Sequence, residues 1–156
     1  MARTLVEVLA QKGEVVHIVS RDASLKAAAR LMKSHGVGAL VVVENGHPTG
    51  ILSERDVMLQ VVEGRTDANE RAVGEAMTVP PLLVQPDVPV EEAVWLMTRC
   101  RSRHLIVVSE GELIGLISLG DLARLLVEST ARPGVRWARD SEVQETLAEE
   151  NVRRSS

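Results

Sequence analysis

Phenylalanine and tyrosine are absent from this 156-residue chain, and tryptophan occurs only twice. Its core must therefore be built from Val, Leu, Ile, Ala and Met, and a site that stacks nucleobases on a row of aromatic rings is excluded. Cysteine is nearly missing as well. Cys100 stands alone, so no intramolecular disulfide and no multi-cysteine metal site can form, which fits a reducing compartment. Neither sign of charge dominates: 18 basic against 22 acidic side chains leave −4 at pH 7, and no nucleic-acid footprint is expected. Long apolar runs are lacking too. The longest aliphatic stretch, Ala39 to Val43, is far too short to span a bilayer, and Glu7 falls where a signal peptide requires an apolar segment. What is present, 45% hydrophobic and 26% charged residues, is the balance of a globular domain. The expectation is a cytoplasmic chain with no membrane partner.

The more informative property is repetition. Sliding the sequence against itself by 65 positions sets Val19 on Val84, Asp22 on Asp87, Ala28 on Ala93, Leu31 on Leu96 and Met32 on Met97. Without a gap the match continues through Leu40 on Leu105, Val42-Val43 on Val107-Val108, Gly46 on Gly111 and Gly50 on Gly115. It closes with Ser53 on Ser118 and Asp56 on Asp121. A repeat of this length signals a duplicated structural unit.

Each copy carries the same pattern. A short apolar strand, Val15–Val19 or Leu82–Val84, precedes a helix cap at Ser24, or at Asp87 or Pro89. Helical spacing follows in Leu25, Ala28, Ala29, Leu31 and Met32, and in Val90, Ala93, Val94, Leu96 and Met97. The first of these helices ends at His35-Gly36, the second near Arg101-Ser102. Buried-strand runs then occupy Ala39–Val43 and Leu105–Val108. Asn45-Gly46 and Glu110-Gly111 turn the chain into returning strands at Thr49–Leu52 and Leu113–Ile117. Final helices cover Glu54–Val62 and Leu119–Val127.

The predicted fold class is α/β (α+β), a β-α-β-β-α unit written twice. One such unit buries too little alone, so the copies are expected to pack through their sheets about a pseudo-twofold axis, leaving two related clefts. Residues 5–66 form the first repeat with Leu5–Leu9 as a lead-in helix, and residues 67–130 the second with Val73–Thr78 in the linker. Residues 131–156 form a polar tail, with Pro133-Gly134 and a helix expected from Glu142 to Glu149.

The duplicated unit, with Gly50-Ile51-Leu52-Ser53-Glu54-Arg55-Asp56 and Gly115-Leu116-Ile117-Ser118-Leu119-Gly120-Asp121, resembles the cystathionine-β-synthase (CBS) domain pair, or Bateman module, in its stand-alone form. The resemblance covers about residues 5–130, and Gln85-Pro86-Asp87 and Arg103-His104-Leu105-Ile106-Val107 share it. It implies a non-enzymatic regulatory module that binds an adenosine-type ligand (AMP foremost, also ADP, ATP, NAD(H) or S-adenosylmethionine) between the copies. It further implies homodimeric disks and a regulated partner protein that receives the ligand state. No catalytic cofactor is implied.

Physically, Ser-x-x-Asp at a strand-to-helix handover has two compatible uses. It is a capping box. It also sets a carboxylate, able to chelate the cis-hydroxyls of a ribose, beside free N–H groups that favour an anion. The resemblance implies that the start of one copy's middle strand supplies phosphate contacts to the other copy's Ser/Asp pair. Arg103 and His104 would then face Ser53 and Asp56, with Arg55 as a further cation. Only Gly38 and Ala39 would face Ser118 and Asp121, where Gly120 replaces the arginine, so the Asp56 cleft is expected to bind a phosphorylated ligand more tightly. His17 and Ile18 complete the nucleotide-binding set on the first strand. There Ile18, like Leu83, stands where many ligand-binding members carry Thr or Ser, leaving main-chain contacts to the base.

Asp56→Ala is accordingly expected to abolish binding with little loss of fold. The alternative is a constitutive interaction scaffold that has lost its ligand. The four histidines, His17, His35, His47 and His104, lack His-x-x-x-His spacing, so no metal site is expected. Cys100, between Arg99 and Arg101, is either a partly buried helix residue or a thiol activated by its neighbours. Trp95 and Trp137 are expected to be packing or interface residues rather than to stack on ligand.

Overall fold

The computed structural model describes residues 3–13, 15–63, 67 and 70–129. Helix α1 (Leu5–Lys12) precedes strand β1 (Ile18–Ser20), helix α2 (Leu25–His35), strands β2 (Ala39–Glu44) and β3 (His47–Ser53), and helix α3 (Glu54–Val62). The short helix α4 (Val73–Ala76) leads to β4 (Leu83–Val84), α5 (Val90–Arg99), β5 (His104–Ser109), β6 (Glu112–Ser118) and α6 (Leu119–Ser129). The expected tail helix and Trp137 lie outside the described residues.

The β-α-β-β-α unit is present twice, each with its own three-stranded sheet ordered β1-β2-β3 and β4-β5-β6. The duplication extends to the ladder. Ala39 pairs with Ser53 as His104 pairs with Ser118, and both hairpins shift register at the same place, between Val42 and Val43 and between Val107 and Val108. Both turns have two residues at positive φ, Asn45 (50°) with Gly46 (82°) and Glu110 (50°) with Gly111 (85°). This is the type I′ geometry whose twist matches the flanking strands. The opening strand is shorter than the apolar run over 15–19 suggests. Parallel pairing with β2 begins only at Ile18, and Val15 is 74% exposed.

The helices take the ends their sequences dictate. Ser24 caps α2, its side chain accepting from Ala27 N at 3.1 Å, and Gly36 in the left-handed region ends it. Pro89 stands at the start of α5, where its fixed φ suits a helix entry and its missing N–H leaves no donor unpaired.

Two cores result, and the lead-in helices exchange between them. Leu25, Ala28, Met32, Leu40, Val42 and Leu52 of the first copy are closed over by Val73 of α4. In the second copy, Val90, Ala93, Met97, Leu105, Val107 and Ile117 are joined by Leu5, Val8 and Leu9 of α1. Sequence order would attach α1 to the first copy, yet its contacts lie in the second. Backbone bonds fix both dockings: Leu5 N and Val6 N donate to Val88 O and Pro86 O, while Val73 N and Gly74 N donate to Ala23 O and Arg21 O. Burying Leu5, Val8 and Leu9 stabilises this arrangement by about 1.5–3 kcal/mol per side chain. The exchange is reciprocal, as a local twofold requires, and β3 and β6 lie against each other where the sheets meet.

Candidate functional site: a cationic cleft between the repeats

Strand β3 becomes helix α3 at Ser53, and β6 becomes α6 at Ser118. Ser53 is extended (φ −106°, ψ 163°) and its Oγ accepts from Asp56 N at 3.3 Å. Asp56 Oδ2 in return accepts from Ser53 N at 2.8 Å and from Ser53 Oγ at 2.6 Å. Ser118 and Asp121 repeat the arrangement at 3.2, 2.8 and 2.8 Å. The capping box is therefore real in both copies, and each carboxylate is held rigid at a helix N-terminus before any ligand arrives.

A cleft of about 620 Å³ opens between the repeats. On one side it is bordered by Gly38, Ser53 through Asp56 and Thr78, on the other by Cys100 through His104, with Ser118 to Gly120 closing it. Of the residues singled out from the sequence, Gly38, Ser53, Arg55, Asp56, Arg103, His104 and Ser118 meet around this one space. Gly38 and Ser118, assigned by the sequence to a second cleft, border the same one. His17, Ile18, Ala39 and Asp121 lie outside its lining. The His17 ring stacks on His35 with centroids 4.0 Å apart. Ile18 is 52% exposed at the start of β1, and Ala39 is buried.

The cleft carries a positive excess, because Arg55, Arg101 and Arg103 border it together with the two carboxylates of Glu54 and Asp56. Among the described residues no carboxylate forms an ion pair with any of the three arginines. Burial holds the His104 imidazole below its ordinary range. Lys12 and Arg103 push the same way, while Asp121 and Asp56 oppose them.

The two motifs are not equivalent, and Lys12 is the reason. Its Nζ donates to Asp121 Oδ2 at 2.6 Å and to Leu116 O at 2.8 Å. In the first copy the matching acceptor, Ile51 O, takes the backbone N–H of Thr78 at 2.9 Å, and Thr78 Oγ1 stands 3.4 Å from Asp56 Oδ1. One ammonium in the second copy thus does the work of one threonine in the first, but neutralises the carboxylate as it does so. Burial alone would raise the Asp121 carboxyl; hydrogen bonds from Lys12 and Ser118 outweigh it and hold the group below the usual carboxylate range. Sequence reasoning passed over Lys12, Thr78 and Arg101. The first two act across distant chain segments. Arg101 carried a signal, because it stands where the first copy has Gly36.

Among the described residues no cluster of three His, Cys, Asp or Glu side chains gathers to hold a metal, and no helix is long and apolar enough to cross a membrane.

Comparison with known proteins agrees with this architecture. The family model for the CBS domain matches residues 12–63 and again 73–128. The CBS domain-containing protein YhcV of Bacillus subtilis is 37% identical over 108 residues, 69% of this chain and 76% of that protein. Two further curated relatives are spanned over only 54% and 49% of their own lengths. Among solved structures, a protein with CBS domains from Burkholderia ambifaria MC40-6, named for signal transduction, superposes with a TM-score of 0.80 at 33% identity, covering 86% of this chain and all of that one. The CBS domain pair of protein MJ0100, solved with 5-methylthioadenosine and S-adenosyl-L-methionine, shares the fold at a TM-score of 0.74 and 19% identity, over 83% of this chain and 100% of that one. Two matched repeats, two equivalent sheets and a Ser/Asp-headed helix in each lead to one conclusion: this chain belongs to the CBS domain family and carries a pair of CBS domains.

Proposed function

We propose that the pair is a non-enzymatic cytoplasmic sensor that binds an adenosine-type nucleotide in the Asp56 cleft and passes the ligand state to a regulated protein. AMP is the foremost ligand, with ADP, ATP or NAD(H) as variants of it. The observation that carries this reading is the gathering of three guanidiniums without ion-pair partners, and of His104, around a fixed carboxylate at a helix N-terminus. Unpaired arginines facing one space suit phosphoryl oxygens, which they bind through two N–H groups at once. The start of α3 adds the positive end of its dipole, while Glu54 N donates to Gly38 O and Asp56 N to Ser53 Oγ. Asp56, already oriented by Ser53, is left to take the ribose hydroxyls.

Ligand can alter the module only through what it contacts differently in two states. Here it would bridge α3 of the first repeat and the α5–β5 connection of the second, fixing one repeat against the other. Helix α3 has no buried residue, and Met58, Val61 and Val62 on it are more than half exposed. A second copy of the module covering that apolar face gives the homodimer.

A scaffold without ligand is the second reading. The capping boxes by themselves account for Ser53 and Asp56, and Ile18 offers no side-chain donor. A thermal-shift series with AMP, ADP, ATP, NAD, NADH and S-adenosylmethionine separates the two, because ligand at a hundred times its Kd stabilises by about 2.7 kcal/mol. The sensor predicts a rise in Tm with the wild type that is lost in Arg103→Ala. No shift at millimolar ligand leaves the scaffold.

A further inference from the structure

The two lead-in helices dock alike and then diverge. Leu5 N and Val6 N reach Val88 O and Pro86 O at 3.0 and 2.8 Å, as Val73 N and Gly74 N reach Ala23 O and Arg21 O at 2.8 and 2.9 Å. Leu9 then covers Gly115 and Met77 covers Gly50, each so closely that a Cβ on the glycine would stand 2.5 Å from the covering side chain. Beyond that point α4 stops at Ala76, and Thr78 forms an isolated bridge to Ile51. Thr78 N donates to Ile51 O at 2.9 Å and Ile51 N to Thr78 O at 3.2 Å. Helix α1 instead runs a turn further, to Lys12. The equivalent place on β6 thereby receives an ammonium, Lys12 Nζ lying 2.8 Å from Leu116 O and 2.6 Å from Asp121 Oδ2.

That extra turn changes what Asp121 can hold. Asp56 keeps its charge, since among the described residues no cation pairs with it, and Thr78 Oγ1 stands 3.4 Å from its Oδ1. Asp121 has its counter-ion in contact, anchored a second time by Leu116 O. The side chains of Lys12 and Asp121 are only 34% and 19% exposed, so solvent and salt screen the pair less than a surface one. A ribose hydroxyl is neutral and makes a weaker partner for a carboxylate than an ammonium already bonded to it. We infer that Lys12 occupies the Asp121 motif from within the chain, so that the pair takes one nucleotide, at Asp56. Gly120, standing where the first motif has Arg55, favours the same asymmetry. This assignment rests on the proposed nucleotide site and deepens it.

Equilibrium dialysis against AMP, and separately against adenosine, counts the molecules bound per chain. The proteins are wild type, Lys12→Met, Lys12→Gln, Lys12→Arg, and Lys12→Met combined with Asp121→Asn, with melting curves to show each one folded. Methionine keeps the apolar stem without the charge, glutamine keeps a donor for Leu116 O, and arginine keeps the cation. Adenosine reads the ribose contact without a phosphoryl group. Wild type and Lys12→Arg are expected to hold a single AMP at saturation. Lys12→Met and Lys12→Gln should hold a second, weaker one, abolished by Asp121→Asn. A merely structural ion pair cannot give that combination, because its loss would lower Tm without adding a ligand. A second molecule bound by wild type, none gained by either charge-free variant, or a gain that survives Asp121→Asn overturns the assignment. Should wild type bind neither compound while Lys12→Met binds one through Asp121, the proposed Asp56 site fails and the Lys12 assignment stands. Should none of the proteins bind, both fail.

Discussion

Asp56→Ala tests the fold and the site together, and the structure changes what should be expected of it. From sequence, the substitution should remove ligand with little loss of fold. Asp56 Oδ2, however, accepts from Ser53 N at 2.8 Å and from Ser53 Oγ at 2.6 Å, and alanine abandons both donors. The lost cap costs about 0.5–2 kcal/mol, and the lost negative charge in the first turn about 0.3–1 kcal/mol. Helix α3 has no buried residue to compensate, so a total of about 1–2 kcal/mol is reasonable. At roughly 2–4 °C per kcal/mol for a chain of this size, Tm should fall by about 2–8 °C. Asp56→Asn keeps a carbonyl acceptor for Ser53 N and should fall by less than half as much. Calorimetric melting at pH 7 of all three proteins decides the matter. Equal losses for Ala and Asn, or no loss for Ala, would refute the capping argument. If Asn melts near wild type yet loses nucleotide, the carboxylate serves the ligand and not only the helix.

Two further substitutions and titrations follow from the electrostatics. Lys12→Met should destabilise the fold at pH 7 by the value of a partly exposed ion pair, about 0.5–1 kcal/mol, and lower Tm accordingly. Asp121 is held below its ordinary range in the fold, so this stabilisation is complete above the carboxylate's unfolded pKa and disappears as pH falls through the folded one. Wild type and variant should therefore converge in acid, and a pH-independent gap would contradict the assignment. His104 acts in the same direction at a higher pH. Its folded pKa lies below the ordinary value, so the fold loses stability as pH drops below about 6.5. A phosphoryl group seated beside it should raise that pKa. Proton NMR titration with and without AMP should show the rise, and an unmoved imidazole would exclude a phosphate contact at His104.

Much of the architecture was legible because it is local and doubled. Helical spacing from Leu25 to Met32, the Asn45-Gly46 turn, and Ser53-x-x-Asp56 with its copy at Ser118 and Asp121 each follow from short-range stereochemistry. The cleft's Arg55, Arg103 and His104 were legible through the motif. What escaped depends on contacts between distant segments. Nothing in the periodicity of Leu5, Val8 and Leu9 says that their apolar face closes the second core and not the first. Lys12 reaches a carboxylate 109 positions away, and Thr78 approaches Asp56 from the linker. The length of β1 was set by where its partner β2 could pair with it, not by the apolar run that precedes it. Arg101 lay between these cases: its equivalence to Gly36 is written in the repeat, but the left-handed backbone it shares with that glycine is seen only in the fold.

The central claim is that unpaired arginines around Asp56 make this CBS pair a nucleotide receptor. Isothermal titration of AMP into the wild-type protein and into Arg103→Ala measures it most directly. The account predicts saturable binding by the wild type, with affinity reduced about tenfold or more in the variant by loss of a charge-assisted bidentate contact. Equal affinity in the two proteins, or no heat of binding by the wild type at millimolar AMP, would contradict it.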